Sequence, residues 1–443
     1  MDISVEQACP QCGAPIVIGE TDRLLTCPYC EVKSFIRANG AFRYCLPPRR
    51  ADGRDTSLLY IPYLRFKGNI FVINEAGIGH KVVDTTQIGI DLPGLPPSLG
   101  VRPQVMPVKR LLPDISGYYL PLTIRAQAVL EKAIRLTPLR LERRQTVRKL
   151  VSYEGGEAVY EVSTRMKTVE YSSYSRFLHR AFIGETVSFV YLPVELKEDD
   201  LIDGVTGNRL PVSGEVSAHL PQGRAFNPRW QVRFTASLCP DCGWNLEGEG
   251  DSLLLTCSNC DTLWAIGREK VEKVDWRMVA GDRQTAIYLG FWRITGRIPV
   301  LDISSFADFI RRTNQPMLVK PSWEQQKMGF WIPAFKLRPK VFLRVGRQAT
   351  IGQWRLAPRE GHVQDNFYPV TLPASEAKQS VKVILAASAA GRKNVFPLLP
   401  RVRLQDGAAT LVYLPFVDKG HDWYQPASGV SVSKAVLRFG RSL

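Results

Sequence analysis

Long apolar runs and secretion signals are missing from this sequence. The longest apolar stretch, Val381 to Ala390, is interrupted by Lys382 and falls short of the ~18 residues that a membrane-spanning helix needs. The N-terminal segment MDISVE is acidic and has no apolar core, unlike a secretory signal peptide. The sequence therefore predicts a soluble, cytoplasmic protein without a transmembrane segment, although a membrane surface stays open as a partner.

Common catalytic signatures are missing as well. The chain contains no phosphate-binding Gly-x-x-x-x-Gly-Lys-Ser/Thr loop, no His-Glu-x-x-His and no Gly-x-Ser-x-Gly. Its five histidines are scattered without the spacing of metal ligands, and they fit surface or core positions better. These absences argue against the enzyme classes that the motifs mark. The remaining way for the chain to be an enzyme is an active site assembled from residues that are distant in the sequence.

Length and charge set wider bounds. A chain of 443 residues suits two to four domains, and a hydrophobic fraction of 45% is normal for a globular protein with buried cores. The net charge is +16, and it is uneven, since residues 1–230 carry 29 basic and 24 acidic side chains while residues 231–443 carry 29 and 18. A basic surface favours nucleic acid, anionic lipid or an acidic protein, or is simply solvated.

Eight of the nine cysteines form two matched clusters of Cys-x-x-Cys pairs. In both clusters the inner cysteines are separated by 14 residues, and each cysteine of the second cluster lies 230 positions after its counterpart. The candidate metal ligands are Cys9, Cys12, Cys27 and Cys30 in the first cluster and Cys239, Cys242, Cys257 and Cys260 in the second.

This spacing has a physical reason. A Cys-x-x-Cys turn directs two thiolates at one ion, and the following glycine, Gly13 or Gly243, permits the backbone conformation that closes the turn. Two such turns joined by a short β-hairpin complete a tetrahedral site of four thiolates. A redox dithiol is the alternative, but it usually needs one Cys-x-x-Cys beside a βαβ pattern rather than two matched pairs.

Residues 9–30 and 239–260 resemble the zinc-ribbon family of rubredoxin-like and transcription-factor-type four-cysteine knuckles. The resemblance implies two zinc ions per chain, each held by four thiolates with no open position for catalysis. Members of the family serve nucleic-acid machines and protein assemblies alike, so the resemblance implies zinc and leaves the function open.

Three further landmarks repeat in the same order after the clusters. Tyr60–Gly68 aligns with Tyr288–Gly296, Gly117–Pro121 with Gly329–Pro333, and Val190–Pro193 with Val412–Pro415. We therefore expect an α+β protein of two tandem homologous modules, each a four-cysteine zinc ribbon followed by a β-rich body with short helices. The predicted boundaries are 1–45 for ribbon 1, 46–230 for body 1, 231–270 for ribbon 2 and 271–443 for body 2.

Periodicity and composition place the main elements. Short segments rich in β-branched and aromatic residues predict strands at 58–66, 158–162, 187–192, 286–294 and 409–414. Helices are predicted from Pro339, which suits a first helical position, over 374–390, which ends before Gly391, and more weakly over 124–135.

Two functional interpretations follow. The first is a non-enzymatic adaptor or scaffold that presents its modules to protein partners. The second is a nucleic-acid-binding accessory protein, because stretches such as Trp292-Arg293 mix rings with cations; rings packed in the core would explain the same stretches. Lys340, Arg344 and Arg347 share one face of the helix predicted from Pro339 and are the candidate contacts to an anionic partner.

Overall fold

The computed structural model describes residues 3–49, 58–111, 117–124, 128, 131, 139–154, 157–171, 177–197, 200–211, 224–225, 230, 232–267, 271–281, 286–353, 358–363 and 365–443. It is a mixed α+β structure that is rich in strands. None of the helices within these ranges is long and apolar enough to cross a membrane.

The first half of the described chain is almost entirely β-structure. Its elements are β1 (Ser4–Ala8), β2 (Pro15–Gly19), β3 (Leu24–Thr26), β4 (Lys33–Ala38), β5 (Phe42–Cys45), β6 (Leu59–Asn74), β7 (Gly77–Ile88), α1 (Arg102–Val105), β8 (Val108–Arg110), β9 (Tyr118–Tyr119), β10 (Leu139–Glu154), β11 (Glu157–Tyr171), β12 (His179–Lys197), β13 (Asp200–Asp203) and β14 (Arg224–Ala225).

The second half adds helices. Its elements are β15 (Val232–Ala236), β16 (Leu254–Cys257), β17 (Thr262–Ile266), β18 (Val271–Lys273), β19 (Trp276–Met278), β20 (Ala286–Arg297), α2 (Phe306–Arg312), β21 (Gly329–Pro333), α3 (Pro339–Gly352), α4 (Ala374–Ser388), β22 (Gln405–Lys419), β23 (Asp422–Gln425), β24 (Val430–Ser433) and α5 (Lys434–Gly440). Short 3₁₀ helices span Pro299–Leu301, Pro321–Trp323, Arg392–Asn394 and Phe396–Arg401.

The five predicted strands are confirmed as parts of β6, β11, β12, β20 and β22. Helix α3 begins at Pro339, as predicted, because a proline ring fixes a helical φ and the first turn needs no backbone N–H from that position. Helix α4 fills most of the predicted 374–390 segment. The prediction over 124–135 falls mostly outside the described residues.

Each half is built around one antiparallel strand pair. In the first half β6 pairs with β12, and β7 and β5 flank this pair in the order β7-β6-β12-β5. In the second half β20 pairs with β22, β21 adds beside β20, and β19 lies parallel to β22. The four-strand arrangement is therefore the same in both halves, with β21 in the place of β7 and β19 in the place of β5.

The register of the central pairs is also the same. Tyr60 lies opposite Pro193 in the first half, and Tyr288 lies opposite Pro415 in the second. The landmarks around Tyr191 and Tyr413 thus occupy equivalent positions, as the sequence alignment predicted. Because a slip of one residue would turn every side chain to the opposite face, agreement in register also matches the buried faces of the two sheets.

Loop hydrogen bonds repeat at the same positions. Five hydrogen bonds of the first half each have a counterpart in the second: Leu46 N to Tyr191 O matches Val279 N to Tyr413 O, Gly89 N to Pro62 O matches Ala334 N to Gly290 O, Leu120 N to Tyr60 O matches Tyr368 N to Tyr288 O, Thr123 N to Gly89 O matches Thr371 N to Ala334 O, and Asp91 N to Thr123 Oγ1 matches Lys336 N to Thr371 Oγ1. The likeness therefore extends beyond the strands to the way the flanking loop is tied down.

One predicted alignment is wrong. Gly117–Pro121 contributes β9, which runs parallel to β6, whereas Gly329–Pro333 forms β21, which runs antiparallel to β20. The matched hydrogen bonds instead align residues 118–124, YYLPLTI, with residues 366–372, NFYPVTL. The two glycine-aromatic segments have similar composition, but composition carries no information on strand direction.

Arg65 and Arg293 share a register position and differ in their partners. Arg65, opposite Ser188, is buried and forms an ion pair with Glu20, from Nε to Oε1 at 2.8 Å, and another with Asp84 at 2.6 Å. Arg293 instead lies over the Trp331 ring, with its guanidinium carbon 5.9 Å from the ring centroid. One half therefore uses an ion pair at this position, and the other uses a cation–π contact.

The two halves share a core. Phe71 of β6 lies against Phe342 of α3, with ring centroids 5.8 Å apart, and Ile73 and Ile183 belong to the same buried cluster as the second-half residues. The Asn69 side chain donates to the Leu337 carbonyl at 2.8 Å. Helices α3 and α4 are therefore packed between the two sheets, where their apolar faces are covered on both sides.

The repeated threonine allows a matched test of this architecture. Replacing Thr371 by valine leaves the buried Lys336 N–H without its acceptor, which should lower the free energy of unfolding by roughly 1 to 3 kcal/mol. Thr123→Val removes the equivalent contact to Asp91 N, where water can replace it, and should cost less than about 0.5 kcal/mol. Denaturant unfolding of both variants measures the difference. Equal losses would contradict the argument that burial makes the second hydrogen bond the more important one.

Candidate metal centres

Both cysteine clusters have the backbone geometry of a metal-binding knuckle. The N–H of Gly13 donates to the Cys9 carbonyl at 2.9 Å, and that of Gly243 donates to the Cys239 carbonyl at 2.8 Å. Both glycines have φ of +74°, a left-handed conformation that costs glycine little and other residues more. The glycine after each first pair is therefore required by the turn, as the sequence predicted.

The sulfur atoms are spaced for a shared ion. In the first cluster the Sγ atoms of Cys9 and Cys30, and those of Cys12 and Cys27, lie 3.7 Å apart. In the second cluster the corresponding distances are 3.6 and 3.4 Å. Four thiolates about 2.3 Å from a tetrahedral zinc ion would be separated by about 3.8 Å, whereas a disulfide needs about 2.05 Å. All four ligand atoms of each cluster lie within 4.8 Å of one another, so both groups could hold a metal ion.

The electrostatics of the clusters also favour a cation. Backbone N–H donation, chiefly from Cys12, lowers the pKa of the Cys9 thiol to about 6. Burial raises the pKa of the Cys257 thiol to about 12. Four sulfurs this close cannot all ionise without a positive charge between them, because like charges at short range disfavour each other. A bound divalent cation would supply that charge.

The two knuckle segments pack against each other. Leu24 and Phe35 of the first share a buried cluster with Leu255 and Trp264 of the second. The N–H groups of Arg23 and Leu24 both donate to the Gly250 carbonyl, at 2.6 and 3.0 Å. Strand β15, which precedes the second cluster, pairs with β4 of the first, with Val232 opposite Ala38. The two candidate centres therefore belong to one continuous substructure, which the sequence did not indicate.

The second cluster is also fastened to the body that follows it. Arg441, just after α5, forms a two-pronged ion pair with Asp251, from Nε to Oδ2 at 2.9 Å, and a further ion pair with Glu249. The Leu253 N–H donates to the Val370 carbonyl at 2.8 Å. Because both contacts involve the hairpin between the Cys-x-x-Cys pairs, they fix the orientation of the second centre relative to α5.

The predicted basic face lies where the sequence placed it. Lys340, Arg344 and Arg347 are exposed on α3, and Phe342 and Val345 on the same helix are buried. The Arg344 guanidinium donates to the Ser431 carbonyl at 3.1 Å, which holds this side chain close to β24. The structure therefore confirms the exposed position of the three cations and does not test what they bind.

The aromatic members of the basic-aromatic stretches are in the core. Trp230, Trp276 and Trp292 are all buried, and the Trp292 indole donates to the Leu372 carbonyl at 2.8 Å. These rings are not available to stack on bases. Arg143 and the other cations between Leu139 and Leu150 lie on β10, where the described backbone forms one strand of a hairpin.

A cavity of about 390 Å³ that includes charged side chains in its lining lies where the halves meet. Glu376 of α4 accepts hydrogen bonds from the N–H groups of Gly184 and Glu185 in β12, and burial raises the pKa of its carboxyl to about 7. Lys336 donates to the Thr186 hydroxyl at 3.1 Å, and burial lowers the pKa of its ammonium to about 8. Sequence reasoning missed this site, because its residues come from distant segments and no motif marks them.

Comparisons with known proteins found no match: no family model, no curated protein and no solved structure matches the chain. The four-cysteine geometry and the repeated register are therefore the observations from which function can be argued.

The buried carboxyl predicts a pH-dependent stability. Because the folded state raises the pKa of Glu376 from 4.5 to about 7, the protonated carboxyl stabilises the fold fully below pH 4.5, and this contribution is lost progressively as the pH rises from 4.5 to about 7. Glu376→Gln keeps an acceptor for the Gly184 N–H and removes the charge. The variant should match the wild type near pH 4 and exceed it near pH 8 by roughly 2 to 4 kcal/mol in unfolding free energy.

Thermal or denaturant unfolding at the two pH values provides the measurement, with Glu360→Gln, at an exposed carboxylate, as the matched control. A Glu376→Gln variant that is less stable than the wild type at pH 8 would contradict the assignment.

Proposed function

We propose that this protein is a non-enzymatic zinc-binding scaffold whose two related modules present surfaces to protein partners. The matched register and loop hydrogen bonds support descent of the bodies from one module, with the division at 1–45, 46–230, 231–270 and 271–443. Each centre would hold zinc through its four cysteines, and the ion would stabilise the knuckle fold. Four protein ligands leave no position for a substrate, so the metal's part would be structural.

The distribution of rings and apolar side chains carries the scaffold proposal. The aromatic residues of the basic-aromatic stretches are buried, so the stacking platform that nucleic acid requires has no support there. Large apolar side chains are instead exposed beside the metal centres: Trp244 is 55% exposed and Leu238 is 51% exposed in the second knuckle, and Tyr29 is 67% exposed in the first. Exposed apolar surface of this kind is typical of protein contacts.

Zinc content is the first test. Protein purified under metal-replete conditions should contain two zinc ions per chain by elemental analysis, and Cys242→Ser should reduce this to one. Loss of the second ion should unfold the second ribbon locally, because a structural four-thiolate site contributes folding energy directly. Cys45→Ser is the matched control, since this cysteine is buried away from both clusters and should leave the zinc content at two. One ion or none in the wild type would refute the two-zinc proposal.

A second candidate function rests on the basic face of α3. Phe439 is 50% exposed and lies between two guanidiniums, with those of Arg338 and Arg438 5.5 and 5.8 Å from its ring centroid. Arg338 directly precedes α3, so this ring adjoins the helix that carries the three exposed cations. The combination suits an anionic partner, such as a nucleic acid or an acidic protein.

The triple variant Lys340→Gln, Arg344→Gln, Arg347→Gln tests this face. It should weaken binding to an anionic partner by about tenfold or more, with little change in the thermal midpoint, because all three side chains are exposed. The control triple Lys327→Gln, Lys393→Gln, Arg401→Gln removes the same charge elsewhere. Binding to a duplex and to a single-stranded oligonucleotide, measured against salt, gives the readout. Equal binding by both triples would show that only the net charge matters.

Capture of the full chain from its native cells, with and without nuclease, separates the two functions. Partners that survive nuclease and are lost with Trp244→Ala support the scaffold. Partners that disappear with nuclease and with the α3 triple variant support the nucleic-acid function.

A further inference from the structure

The hairpin formed by β10 and β11 projects from the first-half sheet. The two strands pair from Leu139 opposite Tyr171 to Glu154 opposite Glu157, with one irregularity in register between Leu150 and Ser152. Within the described part of the chain, β10 pairs with the rest of the sheet at one position, where Arg140 lies opposite His80 of β7. A two-stranded hairpin on its own is at best marginally stable in water. Its length therefore calls for a further stabilising contact.

The outer part of the hairpin exposes apolar side chains on both faces. Leu150 and Tyr160 lie opposite each other, and they are 43% and 52% exposed. Val151 and Val162 are each 61% exposed, and Val159 is 38% exposed. Such a group of exposed apolar residues on a protruding strand pair is typical of a surface that binds another protein chain.

Strand β11 is the end strand of its sheet. Among the described residues no strand pairs with its outer edge, so the N–H and C=O groups along that edge are open to another strand. The strand has neither proline nor glycine over Glu157–Tyr171. Proteins normally protect such an edge with proline, bulges or charged side chains, and the charges of β11 are of both signs.

The charges along β11 complement each other when two copies run antiparallel. If the two-fold axis passes at Thr164, position 161 of one chain lies opposite position 167 of the other, which brings a glutamate and a lysine together twice. Position 162, a valine, meets position 166, a methionine, and no pair of like charges is opposed. Opposite charges and apolar residues in directly facing positions stabilise a sheet, whereas like charges destabilise it.

We propose that the chain forms a homodimer by antiparallel pairing of its β11 edges about Thr164. The pairing joins the two projecting hairpins into one four-stranded sheet and places Val162 of each copy opposite position 166 of the other. The inference is independent of zinc and of the scaffold function, because neither metal centre belongs to the hairpin.

Sedimentation velocity of the full chain at micromolar concentrations should show a dimer. Lys167→Glu places like charges opposite each other twice across the interface and should raise the dimer dissociation constant about tenfold or more. Within one hairpin the same change puts a glutamate opposite Arg143, so it does not weaken the β10–β11 pairing. The double variant Glu161→Lys, Lys167→Glu exchanges the charges and should restore the dimer.

Crosslinking fixes the register. Thr164→Cys should form an intermolecular disulfide on mild oxidation, because the two copies of this position face each other. Thr168→Cys is the matched control on the same strand face, and its copies would be eight positions apart in the paired strand. The wild type measures how much intermolecular crosslinking the native cysteines form by themselves.

A chain that stays monomeric would overturn the proposal. Binding of the hairpin to vesicles or to a different protein would not rescue it. A dimer that withstands Lys167→Glu, or that crosslinks through Thr168→Cys and not Thr164→Cys, would equally refute this pairing. Zinc content measured on every variant keeps loss of folding apart from loss of dimerisation.

Discussion

The central antiparallel pair of each half, β6 with β12 and β20 with β22, is the constraint on which the rest of the structure depends. Its register decides which side chains face the shared core and which carbonyls receive the flanking loops. Tyr60 and Tyr288 can hold equivalent loops because both stand at the same position of this register. Sheets, helices and the junction cavity are all positioned from these two pairs.

Strand and helix positions were readable from the sequence where the signal is local. β-Branched and aromatic composition identified β6 and β22, and Pro339 marked the start of α3. The cysteine clusters were readable as well, because ligand spacing is a local property of the chain. Strand direction is not local, and the alignment of Pro121 with Pro333 failed for that reason. The counterpart of Pro121 is Pro369, which only the hydrogen bonds of the folded chain reveal.

The junction between the halves lies beyond sequence reasoning altogether. Lys336 and Glu376 are polar residues in segments that otherwise read as loop and helix start. Their burial depends on where β12 passes, and no pattern within either segment predicts it. Arg65 and Arg293 also show that the sequence position does not determine the partner. They occupy equivalent positions in the register, but Arg65 forms an ion pair and Arg293 contacts a ring.

Strand β15 gives the chain a fixed order of maturation. The sheet of the first knuckle is complete only when Val232–Ala236 has paired with β4, about two hundred residues upstream. At a synthesis rate of ~5 to 20 residues per second, the first knuckle waits roughly 10 to 40 seconds for its last strand. Throughout that interval the edge of β4 is open on the ribosome. The first candidate metal centre is thus the earliest to be synthesised, while its sheet is completed only when the second cysteine cluster is about to emerge.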